Sequence, residues 1–187
     1  MRILIHVQHL LGIGHLQRTG LIAQALDAAG AAVTVLSGGM PWPGLDLGGA
    51  RLVQLPPLRA GAGGFTSLID AENRPLDETM RARRRQIVLD TLAETRPDLV
   101  LIETYPFGRR ALRFELEPLV GAARAMRPRP ALACSIRDIV AAKPDRPGAG
   151  RSSRRCARRS TCCWSMPIRA SSGLMRASRM RRRWPIG

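Results

Sequence analysis

Short apolar runs typical of buried strands alternate with longer segments of helical periodicity through the first 146 residues of this chain. The first run is short and β-branched, as in a parallel strand that is covered on both faces. Strands that alternate with helices build a parallel sheet, because each helix carries the chain back to start the next strand. The pattern therefore predicts an α/β fold, a Rossmann-like parallel sheet with helices on both faces. The predicted strands are residues 2–8, 32–36, 51–55, 98–103 and 131–135, and the predicted helices are 15–29, 75–95 and 109–126.

Several boundary residues support these predicted elements. Gly30 follows the first helix, where a glycine suits the end of a helix. Asn73 is the predicted N-cap of the second helix, and Pro75 suits its first turn. Pro118 is expected to kink or split the third helix. Residues 56–72 are predicted to form a long loop, of the kind that is often functional.

Polar residues and glycines follow four of the predicted strands. These segments run from Gln8 to His15, from Ser37 to Met40, from Glu103 to Phe107 and from Ser135 to Asp138. Ligands of parallel α/β sheets bind at the carboxyl ends of the strands. We therefore expect the functional residues to lie in these four segments.

A glycine-bearing turn joins the first predicted strand to the first helix. Gly12 and Gly14 let a backbone approach a ligand closely, and the N–H groups of the following helix suit a phosphate or a carboxylate. His15 stands at the start of that helix, where it can act as a base or donate a hydrogen bond to a substrate hydroxyl. A dinucleotide-binding fingerprint is not met, because Gln17 replaces its third glycine and Ser37 replaces its acid. The simpler alternative, that both glycines only form a tight turn, stays open.

Four segments of the chain occur in an order that resembles a known enzyme family. They are residues 9–16 (His-Leu-Leu-Gly-Ile-Gly-His-Leu), 37–39 (Ser-Gly-Gly), 103–110 (Glu-Thr-Tyr-Pro-Phe-Gly-Arg-Arg) and 135–139 (Ser-Ile-Arg-Asp-Ile). Together they resemble the N-terminal, acceptor-binding half of a predicted GT-B glycosyltransferase related to the MurG-type family 28 enzymes. The resemblance covers residues 1–146, which we predict to form one Rossmann-like domain.

The resemblance implies a two-domain fold and a reaction. Two Rossmann-like domains would face each other across a cleft, the N-terminal one binding the acceptor and the C-terminal one binding a nucleotide-sugar donor. A hexosyl group would pass from that donor to a hydroxyl of a sugar, lipid or small-molecule acceptor, with no metal and no other cofactor. By this match Gly12, Gly14 and His15 are the first candidates for the site, with His15 as the base.

A second candidate segment follows the fourth predicted strand. Glu103 ends that strand and is predicted to orient the acceptor hydroxyl, while Tyr105 and Phe107 offer rings that stack on a sugar or lipid. The alternative is a capping glutamate beside packed aromatic side chains. The predicted catalytic residues are thus His15 and Glu103. The predicted substrate-binding set is Gly12, Gly14, Ser37, Gly38, Tyr105, Phe107, Arg109 and Ser135.

Other charged residues of this domain receive simpler interpretations. A basic run on the second predicted helix is expected to be a solvated face. The alternative, attraction to an anionic lipid or a phosphorylated acceptor, leaves peripheral membrane contact open. His6 lies inside the first strand and is predicted to be a satisfied core residue, and His9 is a weaker candidate than His15 for the site. The basic run consists of Arg81, Arg83, Arg84 and Arg85.

The last 37 residues differ in composition from the rest of the chain. They hold 11 of the 30 basic residues, all arginine, and none of the 14 acidic residues, so much of the net charge of +16 is concentrated there. Helical and strand periodicity stops near Pro147, and residues 147–187 are predicted to form a disordered Arg-rich tail. Its cysteines Cys156, Cys162 and Cys163 lack the paired spacing and the nearby histidine of a zinc site.

This tail has the composition of a GC-rich coding sequence translated out of frame. If the codon of Ser165 begins with TC, a shifted reading of residues 162–167 gives Leu-Leu-Val, a polar residue and Ala, a strand-like pattern that the written frame lacks. We hypothesise a frameshift near residues 145–151, with the donor-binding domain missing and the chain inactive alone. The competing hypothesis is a basic nucleic-acid-binding protein with a Rossmann-like domain. Under the first hypothesis no nucleic acid is expected as a partner.

The first apolar run also bears on localisation. Residues 2–8 lack the long apolar region and the small-residue cleavage site of a signal peptide. We therefore interpret them as a structural strand and expect the protein to be cytoplasmic.

Overall fold

A six-stranded sheet forms the centre of the structure, a computed structural model that describes residues 1–136 and 161–165. Every pair of neighbouring strands in this sheet is parallel. The five predicted strands are all present, each within one residue of its predicted ends. The strands, named by their order in the chain, lie across the sheet as β3 (Arg51–Gln54), β2 (Ala32–Ser37), β1 (Arg2–Val7), β6 (Leu99–Glu103), β7 (Ala131–Ile136) and β8 (Thr161–Ser165).

Helices cover both faces of the sheet. Side chains alternate between the two faces of a strand, so β1 contributes to two apolar cores. Ile5 packs in the core that contains Leu16 of the first helix, whereas Leu4 packs in the core that contains Val88 and Leu116 of the other two. This arrangement confirms the predicted Rossmann-like α/β fold. The helices are α1 (Gly14–Ala28) on one face and α2 (Glu78–Thr95) and α3 (Arg113–Ala125) on the other.

No helix in residues 1–136 or 161–165 combines the length and the apolar character that a membrane span requires.

The predicted loop 56–72 is wrong over much of its length. It contains an antiparallel hairpin of β4 (Arg59–Gly61) and β5 (Gly64–Ile69). Gly64, at the tip, has a φ of +66°, a conformation that glycine adopts without strain. The glycines that suggested an irregular loop therefore form a tight turn between two short strands.

Two helix starts differ from the predictions. Asp77, and not Asn73, is the N-cap of α2, and its side chain accepts a hydrogen bond of 2.7 Å from the N–H of Met80. The helix predicted from residue 109 begins as a 3-10 turn over Arg110–Leu112, and α3 follows it. Pro118 lies within α3 and does not split it.

One strand lies inside the segment that was predicted to be a disordered tail. β8 pairs with β7, with Thr161 opposite Leu132 and Trp164 opposite Ser135. Threonine and tryptophan favour strands, and β7 would otherwise present an unpaired edge. The predicted disorder therefore does not hold for these five residues. The rest of the predicted tail lies outside the described residues, as do Arg137 and Asp138.

Candidate functional site

His15 and Glu103 meet at the carboxyl edge of the sheet. The His15 Nδ1 atom lies 2.7 Å from Glu103 Oε1, although 88 residues separate them in the chain. His15 is the second residue of α1, and Glu103 is the last residue of β6. The imidazole is 27% exposed and the carboxylate only 3%. The pair, hereafter the dyad, thus joins a buried acid to a histidine that solvent reaches.

The strand pattern explains why these two residues meet. Leu99 and Leu101 of β6 pack on the α1 side of the sheet, so Glu103, two residues further on, faces the same side. β1 and β6 are neighbours in the sheet, and α1 begins just beyond the end of β1. The start of α1 therefore brings His15 directly over the end of β6.

The surroundings of Glu103 favour its ionised form. Burial opposes ionisation, but the hydrogen bond with His15, a 2.6 Å hydrogen bond from the Thr104 hydroxyl, and the Arg109 guanidinium at 3.8 Å outweigh burial, and the pKa of Glu103 lies below its ordinary value. An ionised carboxylate only accepts hydrogen bonds, so the proton between the pair is on His15 Nδ1. The other ring nitrogen, Nε2, is then unprotonated in the neutral imidazole and can accept a proton.

A tight turn after β6 places Arg109 beside the dyad. Thr104 has a φ of 65° and Arg109 a φ of 57°, both in the left-handed region that non-glycine residues seldom adopt. The N–H of Gly108 donates a 2.8 Å hydrogen bond to the carbonyl of Thr104 and closes the turn. Strained backbone of this kind is concentrated at functional sites. Here the turn brings the guanidinium of Arg109 to 3.8 Å from the Glu103 carboxylate.

His9 lies close to the dyad but is more deeply buried. Its side chain is packed against Gly39, where an added Cβ would lie 2.3 Å from its Cε1 atom. Burial lowers the pKa of His9 most, and the charges of Arg109 and His15 lower it as well. A hydrogen bond to the backbone of Met40 raises the pKa, but the lowering effects are larger. His9 is therefore neutral at physiological pH. It is 6% exposed, so the more exposed His15 remains the better candidate for contact with a substrate.

Two buried polar atoms around this rim have no hydrogen-bond partner within the described residues. They are His9 Nδ1 and Arg109 Nε, and the Tyr105 hydroxyl, in the core of α2 and α3, also has none. Buried polar groups are almost always paired, so such a group marks a place for a water or a ligand.

The other predicted site residues differ in how far they are exposed to solvent. Gly12 is exposed, with open space where a Cβ would be, and Gly14 is the first residue of α1. Ser37 and Gly38 are buried at the end of β2, and Ser135 is buried beside Glu103 in the sheet.

The two aromatic residues after β6 also differ in burial. Tyr105 is 4% exposed and packs in the apolar core with Leu112 and Leu116, which favours the alternative of a packed aromatic side chain over a ring that stacks on a ligand. The large apolar area of the ring is better satisfied in the core than in water. Phe107 is half-buried, and its contact with a ligand stays a prediction.

Sequence reasoning missed a buried ionic network behind the rim. Arg84 of α2 and Glu115 of α3 are both completely buried and form two hydrogen bonds of 2.8 Å. His6 of β1 donates a 3.2 Å hydrogen bond from Nε2 to the same carboxylate. The prediction that His6 is a satisfied core residue is therefore confirmed.

Arg84 also connects this network to the rim. Its guanidinium donates to the carbonyls of Gly38 and Pro56 and to the side chain of Gln8, which follow β2, β3 and β1. The predicted solvated face is thus wrong for Arg84. A signal for this was present, because Arg84 lies four residues before Val88 on the buried stripe of α2.

Fold and site together define an α/β domain of Rossmann-like topology with a His–Glu dyad at the carboxyl edge of its sheet. Within residues 1–136 and 161–165, no three His, Cys, Asp or Glu side chains are grouped closely enough to hold a metal ion. No protein-family model and no curated protein matches the chain.

Solved structures of glycosyltransferases resemble the chain. The Streptomyces sp. SF2575 glycosyltransferase SsfS6 is 17% identical with a TM-score of 0.47, over 90% of this chain and 49% of its own. The MurG of Acinetobacter baumannii is 14% identical with a TM-score of 0.47, over 91% and 43%. A UGT transferase from Siraitia grosvenorii, solved in complex with UDP, is 18% identical with a TM-score of 0.42, over 74% and 28%. The chain thus spans half the length of these proteins or less.

Proposed function

We propose that this chain is the acceptor-binding half of a glycosyltransferase, which transfers a hexosyl group from a nucleotide-sugar to an acceptor hydroxyl. The observation that carries the proposal is the 2.7 Å contact between His15 Nδ1 and the buried Glu103 carboxylate. This contact leaves Nε2 of a partly exposed imidazole ready to accept a proton at the carboxyl edge of the sheet. The segments that resemble MurG-type enzymes contain both residues of this dyad.

In the proposed step His15 is the general base. The acceptor O–H proton passes to His15 Nε2 as the hydroxyl oxygen forms its bond with the anomeric carbon of the donor. The bond between that carbon and the phosphate oxygen breaks, and the nucleoside diphosphate leaves with the electron pair. A positioned base of this kind contributes about 10²- to 10⁴-fold to the rate.

Glu103 acts through His15 and not directly on the acceptor. Glu103 is predicted from the sequence to orient the acceptor hydroxyl, but its side chain is 3% exposed and its oxygens are engaged by His15 and Thr104. The carboxylate fixes the proton of the neutral imidazole on Nδ1 and stabilises the imidazolium that forms. Arg109 keeps this carboxylate ionised and brings an unpaired Nε atom to the same rim.

The glycine loop provides room for the acceptor. Open space surrounds the position where a Cβ of Gly12 would be, and Leu11 beside it is 73% exposed. Ile13, the N-cap of α1, makes no side-chain capping bond, so N–H groups at the start of α1 are available to ligand oxygens. In this proposal Gly12, Gly14 and Leu11 border the acceptor, with Phe107 and Arg109 opposite.

The donor would bind in a second domain across the cleft. We propose that this domain is missing from the chain because of the frameshift near residues 145–151, and that the chain alone has no transferase activity. The nucleotide sequence after the codon for Lys143, translated in three frames, tests the frameshift. An intact single frame through Gly187 would refute it.

The function is tested with the longer chain that the restored frame encodes. This chain should release nucleoside diphosphate from a nucleotide-sugar when a panel of hydroxyl acceptors is present, and His15→Ala should lower the rate at least about 100-fold. Gln17→Ala, an exposed change one residue past Leu16 on α1, is the matched control and should leave the rate unchanged. Equal rates for the two variants would overturn the role of His15, and turnover by the 187-residue chain would overturn the proposed half-site.

A further inference from the structure

A cavity lies on the face of the sheet opposite α1, between the β4–β5 hairpin and the starts of α2 and α3. Its volume is about 470 Å³, within the range of small-molecule sites. Three arginines line it, one from each of three elements: Arg81 of α2, Arg110 of the 3-10 turn and Arg113 of α3. We call it the arginine cavity.

No acidic residue lines the arginine cavity. Arg81 and Arg113 have carboxylates only at 3.9 Å, from Glu78 and Glu117, and these pairs are substantially exposed. Arg110 forms no ion pair with any described residue. Exposed pairs at that distance do little to neutralise the guanidinium groups.

A neighbouring cavity provides a comparison on the same helix. It has a volume of about 200 Å³ and is lined by Arg74 and Arg83 together with Asp70 and Asp77. Asp70 there is held by Arg74 through a 2.8 Å hydrogen bond. The charges of this smaller cavity are balanced within the protein, whereas those of the arginine cavity are not.

The arginine cavity also has an apolar floor. Leu76 and Phe114 line it and pack against the core beneath, and Leu68 of β5 is buried at its side. The Arg81 guanidinium lies over the Phe114 ring, 5.0 Å from its centroid. Arg81 is thereby held over the floor by a cation–π contact.

We propose that the arginine cavity binds an organic phosphate, a phosphate monoester on an apolar group. Three guanidinium groups from separate elements suit the oxygens of a dianionic tetrahedral phosphate, whereas a planar carboxylate is satisfied by one bidentate arginine. The apolar floor takes the hydrocarbon part. The site is separate from the dyad, and its test does not depend on transferase activity. The phosphate can be that of a soluble ester or of a lipid headgroup.

The proposal is tested by calorimetric titration of the 187-residue chain with hexyl phosphate, hexanol and heptanoate. Hexyl phosphate should bind saturably and more weakly as salt rises, heptanoate should bind less tightly, and hexanol should not bind. The double variant R110M/R113M should weaken hexyl phosphate binding by roughly 100-fold, about tenfold for each charged hydrogen-bonding group removed. R110K/R113K should recover part of this loss because it restores the charge.

Two further measurements complete the test. Arg83→Met, in the charge-balanced cavity, is the matched control and should change the affinity by less than about twofold. A co-sedimentation assay with vesicles that contain phosphatidic acid tests whether the phosphate belongs to a lipid headgroup. Tighter binding to these vesicles than to hexyl phosphate, lost in R110M/R113M, would indicate a lipid, and the reverse would indicate a soluble ester. Failure of both probes to bind, equal binding by R110M/R113M and the unchanged chain, or an equal loss in Arg83→Met would overturn the proposal.

Discussion

The guanidinium of Arg84 and the carboxylate of Glu115 form two hydrogen bonds of 2.8 Å in a part of the core where neither side chain is exposed. The pair joins α2 to α3, and Arg84 reaches on to the carbonyls of Gly38 and Pro56. Since a buried charge without its partner is costly, removal of either member should affect stability far more than removal of a surface pair. The first two predictions concern this network.

Arg84→Met should destabilise the fold by about 3–5 kcal/mol, because it leaves Glu115 buried without its main counter-charge. Arg83→Met, on the exposed side of the same helix, should change the free energy of unfolding by less than about 0.5 kcal/mol. Urea unfolding followed by circular dichroism measures both. Similar midpoints for the two variants would show that the network does not stabilise the fold.

The acid limit of stability should depend on Glu115. Burial opposes its ionisation, but Arg84 and His6 hold the pKa of Glu115 at about 2 in the folded state, against an ordinary value of 4.5. A depressed pKa stabilises the fold fully above about pH 5, and this contribution is lost as the pH falls toward 2. Glu115→Gln should therefore flatten the fall in unfolding free energy between pH 5 and 2, as measured by urea titrations at each pH. An unchanged slope would contradict the prediction.

The tautomer of His15 should depend on Glu103. In the unchanged chain above neutral pH, long-range ¹H–¹⁵N spectra of ¹⁵N-histidine should show the proton of His15 on Nδ1, because the carboxylate accepts from that atom at 2.7 Å. Glu103→Ala should remove this preference. Glu94→Ala, an exposed carboxylate change, is the control and should leave the His15 signals unchanged. A proton on Nε2 in the unchanged chain would be evidence against the dyad.

An added methyl group should destabilise the fold at one glycine of the rim and have little effect at another. A Cβ on Gly38 would lie 2.2 Å from Gln8 Oε1 and 2.6 Å from Arg84 Nη2, so Gly38→Ala should cost about 1–3 kcal/mol. A Cβ on Gly12 would have nothing within 4 Å, so Gly12→Ala should cost less than about 0.5 kcal/mol. Thermal unfolding compares the two. A large loss in Gly12→Ala would favour the alternative that this glycine is needed only for the turn.

The sheet and the dyad positions were accessible from sequence because both follow simple periodicities. The apolar runs located five strands, and the segments that follow two of them contain His15 and Glu103, which meet at the carboxyl edge of the sheet. The pairing of these two residues follows from the two-residue alternation of β6, which directs Glu103 to the side of α1. What was not predicted is the bond between Glu103 and the histidine, since this depends on where α1 starts relative to the sheet.

Other features depended on long-range partners that a local pattern does not reveal. Arg84 belongs to an arginine run that resembles a solvated face, and only Glu115 on another helix makes its burial favourable. The β4–β5 hairpin is short, and its glycines suggested a loop. β8 pairs only with the edge of β7 among the described residues, and that distant partner is not visible in the five residues themselves.

The two cores of the domain are held by different kinds of contact. Between β1 and the helices α2 and α3, the apolar core is accompanied by the bonds of His6, Arg84 and Glu115, whereas beneath α1 the core is apolar and the His15–Glu103 bond lies only at its edge, at the first turn of the helix. Acid that protonates Glu115 weakens the first core from within, whereas the apolar contacts beneath α1 do not depend on pH and acid acts there only at the first turn of α1. A drop in pH should therefore make the domain melt asymmetrically, with amide protons of α2 and α3 exchanging with solvent before those at the centre of α1.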